Sequence, residues 1–98
     1  MDEVATYVLY DIVDDAIRTK IAEVCKDYGL ERIQFSAFYG LLTRNKREEL
    51  FLHLQDTLGD RPGKLLVQPV CEKDIRVGLR VENEETDADS PQADAPGE

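Results

Sequence analysis

The sequence predicts an α+β fold in which two helices cover one face of an antiparallel sheet. Extended apolar segments and segments with helical periodicity follow one another in the order strand, helix, bent strand or two strands, helix, strand, strand. The length of 98 residues suits a single domain. The composition, 42% apolar and 34% charged, is typical of a globular protein and not of a membrane-spanning or disordered chain.

The first strand and the first helix are the most clearly marked elements. Residues 4–10 (VATYVLY) are β-branched, aromatic and apolar on both faces, which predicts a central strand covered on both sides. Asp14 or Asp15 is expected to cap the helix that follows, and Gly29 to end it. The apolar stripe of this helix consists of Ile17, Ile21, Val24, Cys25 and Tyr28.

The segment 32–42 (RIQFSAFYGLL) has the composition of a strand but exceeds an average strand in length. Apolar residues occupy both alternating phases after Ser36, so the segment is either one strand with a bend or bulge, or two strands joined by a very tight turn. Thr43 then caps a second helix, predicted over 44–58 and ended by Gly59. Its apolar face carries Leu50, Phe51, Leu54 and Leu58.

Two more strands are predicted after the second helix. The turn residues Pro62 and Gly63 precede a strand over 64–70. Residues 74–81 (DIRVGLRV) alternate between polar and apolar, which predicts a half-exposed antiparallel strand. Because so small a domain leaves this extra strand little core to cover, we expect it to pair with the sheet of a partner subunit.

The charge of the chain is unevenly distributed. A net charge of −9 argues against a nucleic-acid partner, because an acidic surface repels phosphate. However, seven of the 21 acidic residues lie in residues 82–98, which contain no base, and residues 1–81 carry a net charge of only −2. We therefore expect a folded domain over 1–81 followed by an acidic, disordered tail over 82–98. Nucleic acid thus stays open as a partner of the domain.

The sequence carries no sign of export or of a membrane span. Met1 is followed by two acidic residues, and no apolar stretch approaches the roughly 20 residues that a spanning helix needs. Cys25 and Cys71 are too few for a disulfide framework, and His53 has no second ligand at metal-binding spacing. We expect a cytoplasmic protein with free thiols and no membrane partner.

Acidic residues gather where the first strand gives way to the first helix. Asp11 closes the strand, Asp14 and Asp15 follow in the loop, and Arg18 lies one turn into the helix. Mg²⁺ needs only one or two protein carboxylates when phosphate supplies further oxygens, so this loop is a candidate cation site. The helix cap is the simpler explanation for Asp14 and Asp15. It does not account for Asp11, whose charge ends an apolar strand.

Together these segments resemble the CRISPR-associated Cas-two family, a small subunit of CRISPR adaptation. The resemblance runs from about Tyr7 to Val81. It rests on YVLYDI at 7–12, the acidic loop with Arg18, DYGLERIQFSAF at 27–38, Gly40, Leu41 and Thr43, and QPVC at 68–71.

The resemblance implies a ferredoxin-like βαββαβ fold and a homodimer in which the C-terminal strand adds to the partner's sheet. It also implies a role in antiviral defence, as an adaptor for the integrase subunit during insertion of foreign DNA spacers. Metal-dependent endonuclease activity on RNA or double-stranded DNA is part of the same expectation. The alternatives are a purely structural adaptor without catalysis and, further behind, a ferredoxin-like ligand-sensing regulatory dimer.

The resemblance also assigns roles by position. Asp11 is the implied catalytic and metal-binding residue, and the two copies of Asp11 in a dimer are expected to share Mg²⁺ or Mn²⁺ near the two-fold axis. The neighbouring positions that shape the site or contact nucleic acid are Tyr10, Arg18, Arg32, Ser36 and Phe38.

Overall fold

A computed structural model describes residues 2–83 and contains one four-stranded antiparallel sheet with two helices packed on it. The strands are β1 (Val4–Asp11), β2 (Glu31–Gln34), β3 (Ala37–Leu42) and β4 (Lys64–Val70). The helices are α1 (Asp15–Asp27), α2 (Arg44–Leu58) and the short α3 (Glu72–Arg76). The predicted α+β class and βαββαβ order are confirmed. Residues 84–98, which form most of the predicted tail over 82–98, lie outside the described residues.

The sheet has the strand order β2-β3-β1-β4, which is that of a ferredoxin-like fold. β1 lies in the centre and pairs antiparallel with β3 and with β4. Val8 stands opposite Phe38 on one side and Val67 on the other. Because side chains alternate along a strand, this register decides which residues of all three strands share a face.

The two faces of the sheet are covered differently. Val8 and Phe38 are fully buried in a core with α1 and α2, together with Leu50 and Leu54 of α2. We call the opposite side the open face. It carries Tyr7, Leu9, Asp11, Tyr39, Leu41, Lys64 and Leu66. The prediction that β1 is covered on both sides is therefore not met along its whole length in this single chain, since the long helices α1 and α2 pack on one face and Leu9 on the other is 42% exposed.

Both long helices begin with the caps that the sequence predicts. The Asp14 carboxylate accepts a hydrogen bond from the Ile17 backbone N–H (2.9 Å), and the Thr43 hydroxyl accepts one from the Lys46 N–H (3.2 Å). The predicted stripe of α1 is buried at Ile17, Ile21, Val24 and Cys25, whereas Tyr28 follows the helix and is partly buried. Burial raises the pKa of the Cys25 thiol to about 12. Cys25 is therefore an uncharged core residue at neutral pH.

The segment 32–42 forms two strands joined by a tight turn at Phe35 and Ser36, which is one of the two alternatives that the sequence left open. The pairing of β2 with β3 also shifts register between Arg32 and Gln34, so a bulge is present as well. Together the turn and the bulge reverse the chain within a few residues.

Residues 74–81 do not form the predicted strand in this structure. Their beginning belongs to α3, and residues 77–83 lie in neither helix nor strand. The Cys71 carbonyl accepts hydrogen bonds from the N–H groups of Asp74 (3.1 Å) and Ile75 (3.2 Å), so local backbone bonds replace a strand ladder. The alternating pattern marks a strand only where a neighbouring strand is present to pair with it.

No helix within residues 2–83 is both long enough and apolar enough to cross a membrane. This agrees with the absence of a long apolar stretch in the sequence.

Two leucines of α2 allow a matched test of the core. Leu50 is fully buried, whereas Leu52 is 63% exposed on the same helix. We expect L50A to lower the free energy of unfolding by about 2–5 kcal/mol, because it leaves a cavity. L52A should change it by less than about 0.5 kcal/mol. Urea denaturation followed by circular dichroism measures both values, and equal losses would contradict the described packing.

Candidate functional site

The end of β1 brings together several of the predicted site residues. Asp11 is the last residue of β1, lies exposed at the edge of the open face and stands opposite Lys64 of β4. The turn between β2 and β3 lies at the same end, because the Tyr10 N–H donates to the Ser36 carbonyl at 3.1 Å. Tyr10, Asp11 and Ser36 thus come together through backbone pairing of the sheet.

A close approach of two backbone segments fixes the position of Asp11. A Cβ atom on Gly63 would lie 2.8 Å from Ile12 Cγ1 and 3.3 Å from the Asp11 carbonyl oxygen. Glycine therefore allows the loop before β4 to pack directly against the end of β1. Gly63, one of the turn residues noted in the sequence, therefore helps to position the candidate site.

Tyr10 and Phe38 support the site from the helix side of the sheet. Their rings stack with centroids 6.4 Å apart, and both residues are buried. The Tyr10 hydroxyl is buried and has no hydrogen-bond partner within residues 2–83. Phe38 is fully buried, so its ring lies in the core and not on the surface of the candidate site.

Arg18 ties the beginning of α1 to the loop after β1. Its Nη1 donates to the carbonyls of Ile12 (3.1 Å) and Val13 (3.3 Å), and its Nη2 pairs with the Asp15 carboxylate. The same guanidinium lies over the ring of Phe35, with Cζ 5.1 Å from the ring centroid. Arg18 is therefore held in place by several groups at once.

Arg32, which lies on β2, also contacts the ring of Phe35. Its guanidinium lies 5.1 Å from the ring centroid of Phe38 and 5.9 Å from that of Phe35, both within cation–π range. Within the part of the chain that the structure describes, Arg32 has no ion pair with a carboxylate. Its positive charge is thus available to an anionic ligand.

Sequence reasoning missed Phe35. This residue occupies the turn between β2 and β3, where Arg18 and Arg32 meet, and it is 68% exposed. The signal in the sequence was a large aromatic residue between the polar Gln34 and Ser36. The pattern does not single out Phe35, because an aromatic residue in a strand-like segment is ordinarily assigned to the core.

The carboxylates that follow β1 differ in what they contact. Asp14 caps α1 and lies 3.6 Å from an Arg61 guanidinium nitrogen, and Asp15 pairs with Arg18. Asp11 has no ion pair within residues 2–83. The structure thus supports the cap explanation for Asp14 and leaves Asp11 as the carboxylate available to a ligand.

The metal-binding capacity of one chain is small. Within residues 2–83 there is no group of three or more His, Cys, Asp and Glu side chains arranged to hold a metal ion. An exposed single carboxylate fits Mg²⁺, which retains water and takes further oxygens from phosphate. At the end of β1 the described residues therefore offer Asp11 as the one carboxylate outside an ion pair, and a second copy of the chain would supply another.

The fold and the site define a small ferredoxin-like protein with a carboxylate at the end of its central strand and two arginines, one from α1 and one from β2, at the neighbouring turn. The family model described as CRISPR associated protein Cas2 matches residues 5–77. The chain therefore belongs to the CRISPR-associated Cas2 family, which confirms the resemblance noted in the sequence.

Individual relatives agree with this assignment. The chain is 51% identical over 77 residues to CRISPR-associated endoribonuclease Cas2 of Desulforudis audaxviator (strain MP104C), covering 79% of this chain and 73% of the relative. It is 32% identical over 74 residues to a CRISPR-associated endonuclease Cas1/endonuclease Cas2 fusion of Thermoproteus tenax, covering 76% of this chain and 28% of the fusion.

A solved structure supports the fold. The crystal structure of Streptococcus pyogenes Cas2 at pH 6.5 superimposes with a TM-score of 0.68 at 18% sequence identity, covering 80% of this chain and 99% of that one. At this level of identity the likeness concerns the fold alone.

The role of Asp14 can be separated from metal binding. We expect D14A to lower the free energy of unfolding by about 1 kcal/mol, because the Ile17 N–H loses its acceptor. D14N keeps an acceptor oxygen and should retain most of the stability. Thermal unfolding with and without Mg²⁺ measures both effects. A Mg²⁺-dependent stabilisation that both variants lose would instead make Asp14 a metal ligand.

Proposed function

We propose that this protein acts in CRISPR adaptation as a homodimeric subunit that binds nucleic acid and cleaves it with the help of a divalent metal at Asp11. The observation that carries the proposal is an exposed carboxylate at the end of the central strand, without an ion pair among residues 2–83, in a chain of the Cas2 family. The names of the relatives, which include endoribonuclease Cas2, support nuclease activity.

Asp11 would hold Mg²⁺ or Mn²⁺, and the ion would supply an activated water and stabilisation of the charge on the phosphate. Two other residues would have separate roles around this ion. Lys64 lies across the strand pair from Asp11 and offers a positive charge on the open face. Arg18 holds the loop after β1, so that Asp11 keeps its position.

Formation of a homodimer is supported by uncovered apolar surface. Leu9 (42% exposed), Leu41 (56%) and Leu66 (47%) lie on the open face, where no element within residues 2–83 covers them. β4 is an edge strand, and within residues 2–83 the exposed apolar residues of 77–81 pair with no strand. A second copy would cover the open face, pair the edge and contribute a second Asp11.

An adaptor role towards the integrase subunit accompanies the nuclease proposal. The fusion protein of Thermoproteus tenax joins Cas1 and Cas2 in one chain, which supports a physical association of the two partners. A purely structural adaptor is the second candidate. It is favoured by the observation that residues 2–83 contain no group of three or more side chains arranged to hold a metal ion. In both cases the cellular role is spacer acquisition in antiviral defence.

The nuclease proposal is tested by D11N, with D56N as the matched control. Asp56 is an exposed acid on α2, so both variants remove one surface charge. We expect D11N to abolish Mg²⁺-dependent cleavage of single-stranded RNA and double-stranded DNA, and D56N to leave cleavage unchanged. Spacer insertion with the integrase subunit is measured in parallel. Insertion by D11N at the normal rate, with no cleavage by the wild-type protein, would establish the structural adaptor.

The dimer is tested by L66E, with L52E as the control. Both leucines are exposed, but Leu66 lies on the open face and Leu52 on α2. A charge buried between two apolar faces is strongly unfavourable, so we expect L66E to be a monomer and L52E a dimer. Size-exclusion chromatography with light scattering gives the masses. A dimer that withstands L66E would show that the open face is not the contact.

A further inference from the structure

The exposed ring of Phe35 is a feature that the proposed metal chemistry does not use. Phe35 is absent from the buried core cluster, whereas its neighbour Phe38, three residues on, is fully buried. Tight turns favour glycine, proline, asparagine, aspartate and serine, because these residues adopt turn dihedrals or form hydrogen bonds to the turn's own backbone. The ring therefore contributes little to the core and presents most of its surface to solvent.

Two arginines give this ring a particular chemistry. The guanidinium of Arg18 is anchored on backbone carbonyls, and that of Arg32 carries a charge that no carboxylate within residues 2–83 neutralises. An exposed aromatic face offers stacking to a planar base, and guanidinium groups beside it bind phosphate and can stack as well. This combination matches one unpaired nucleotide.

The ring and the carboxylate lie at the same end of the sheet. Leu9 pairs with Ala37, and both Asp11 and Phe35 stand two residues beyond that pair. The hydrogen bond from the Tyr10 N–H to the Ser36 carbonyl holds the turn against β1. A strand of nucleic acid that places a base at Phe35 therefore has its backbone near the end of β1.

We propose that Phe35 is a stacking platform for an unpaired nucleobase and that Arg32 binds the adjacent phosphate. The proposal rests on the proposed nucleic-acid partner and makes Phe35 a positioning residue that favours single-stranded over duplex substrates. In a duplex, both faces of each internal base are already stacked, so the ring of Phe35 has no partner there.

The first test compares F35A with the wild-type protein in binding a short single-stranded oligonucleotide and a blunt duplex of the same sequence. We expect F35A to bind the single strand about 5- to 150-fold more weakly, the change that corresponds to the roughly 1–3 kcal/mol contributed by one base–aromatic stack. Duplex binding should not change. The dependence of affinity on salt should also stay the same, because no charge is removed.

A second variant reports on stacking directly. The chain contains no tryptophan, so F35W places the only tryptophan at the turn, and its fluorescence can be excited apart from that of the four tyrosines. We expect F35W to restore single-strand affinity and its fluorescence to be quenched by the single strand and not by the blunt duplex. F51W is the control, because Phe51 lies on α2 and is partly exposed. F35L, which keeps an apolar side chain but no ring, should behave like F35A.

The outcomes of these tests separate the two proposals. Wild-type affinity of F35A for single strands, or quenching of F35W by duplex alone, would overturn the stacking role and leave cleavage through Asp11 untouched. Loss of association with the integrase subunit in F35A, with single-strand binding intact, would assign the ring to a protein partner and also overturn it. Conversely, the wild-type protein could show no metal-dependent cleavage while F35A still weakens its binding to single strands. That result would retain the stacking role and overturn the proposed catalysis.

Discussion

The antiparallel pairing of β1 with both β3 and β4 is the constraint on which the rest of the structure depends. Side chains alternate along a strand, so this one register places Val8 and Tyr10 in the core and Leu9 and Asp11 on the open face. A slip of one residue would bury the Asp11 carboxylate among apolar groups and expose Tyr10. The same pairing that forms the core thus decides which carboxylate is available for chemistry.

The groups around the candidate site also depend on β1, through contacts over shorter distances. The backbone hydrogen bond between Tyr10 and Ser36 anchors the β2–β3 turn, and that turn carries Phe35. Arg18 reaches the ring from α1 because its guanidinium is held by the carbonyls that follow β1. Residues far apart in the sequence therefore meet because each is fixed to the end of the same strand.

What could be predicted from the sequence was mainly what depends on local interactions. Asp14 and Thr43 cap their helices through hydrogen bonds to backbone groups three residues away, so the sequence identifies Thr43 and narrows the first cap to Asp14 or Asp15. Asp11 could be singled out because a charge ends an apolar run. In contrast, the exposure of Phe35 depends on a turn and a bulge, and the conformation of residues 74–81 depends on whether another strand lies beside them. Neither is encoded in the periodicity of the segment itself.

The two chemistries proposed for this end of the sheet differ in how much of the molecule they need. One chain contains the complete set of Phe35, Arg18 and Arg32, since their mutual contacts lie within a single domain. At the end of β1 a divalent ion finds one carboxylate without an ion pair among the described residues, and these residues contain no group of three or more potential ligands. If both proposals hold, nucleic-acid binding belongs to each chain alone, whereas metal-dependent chemistry begins only when two copies contribute Asp11. Assembly of the dimer would then control cleavage without controlling recognition.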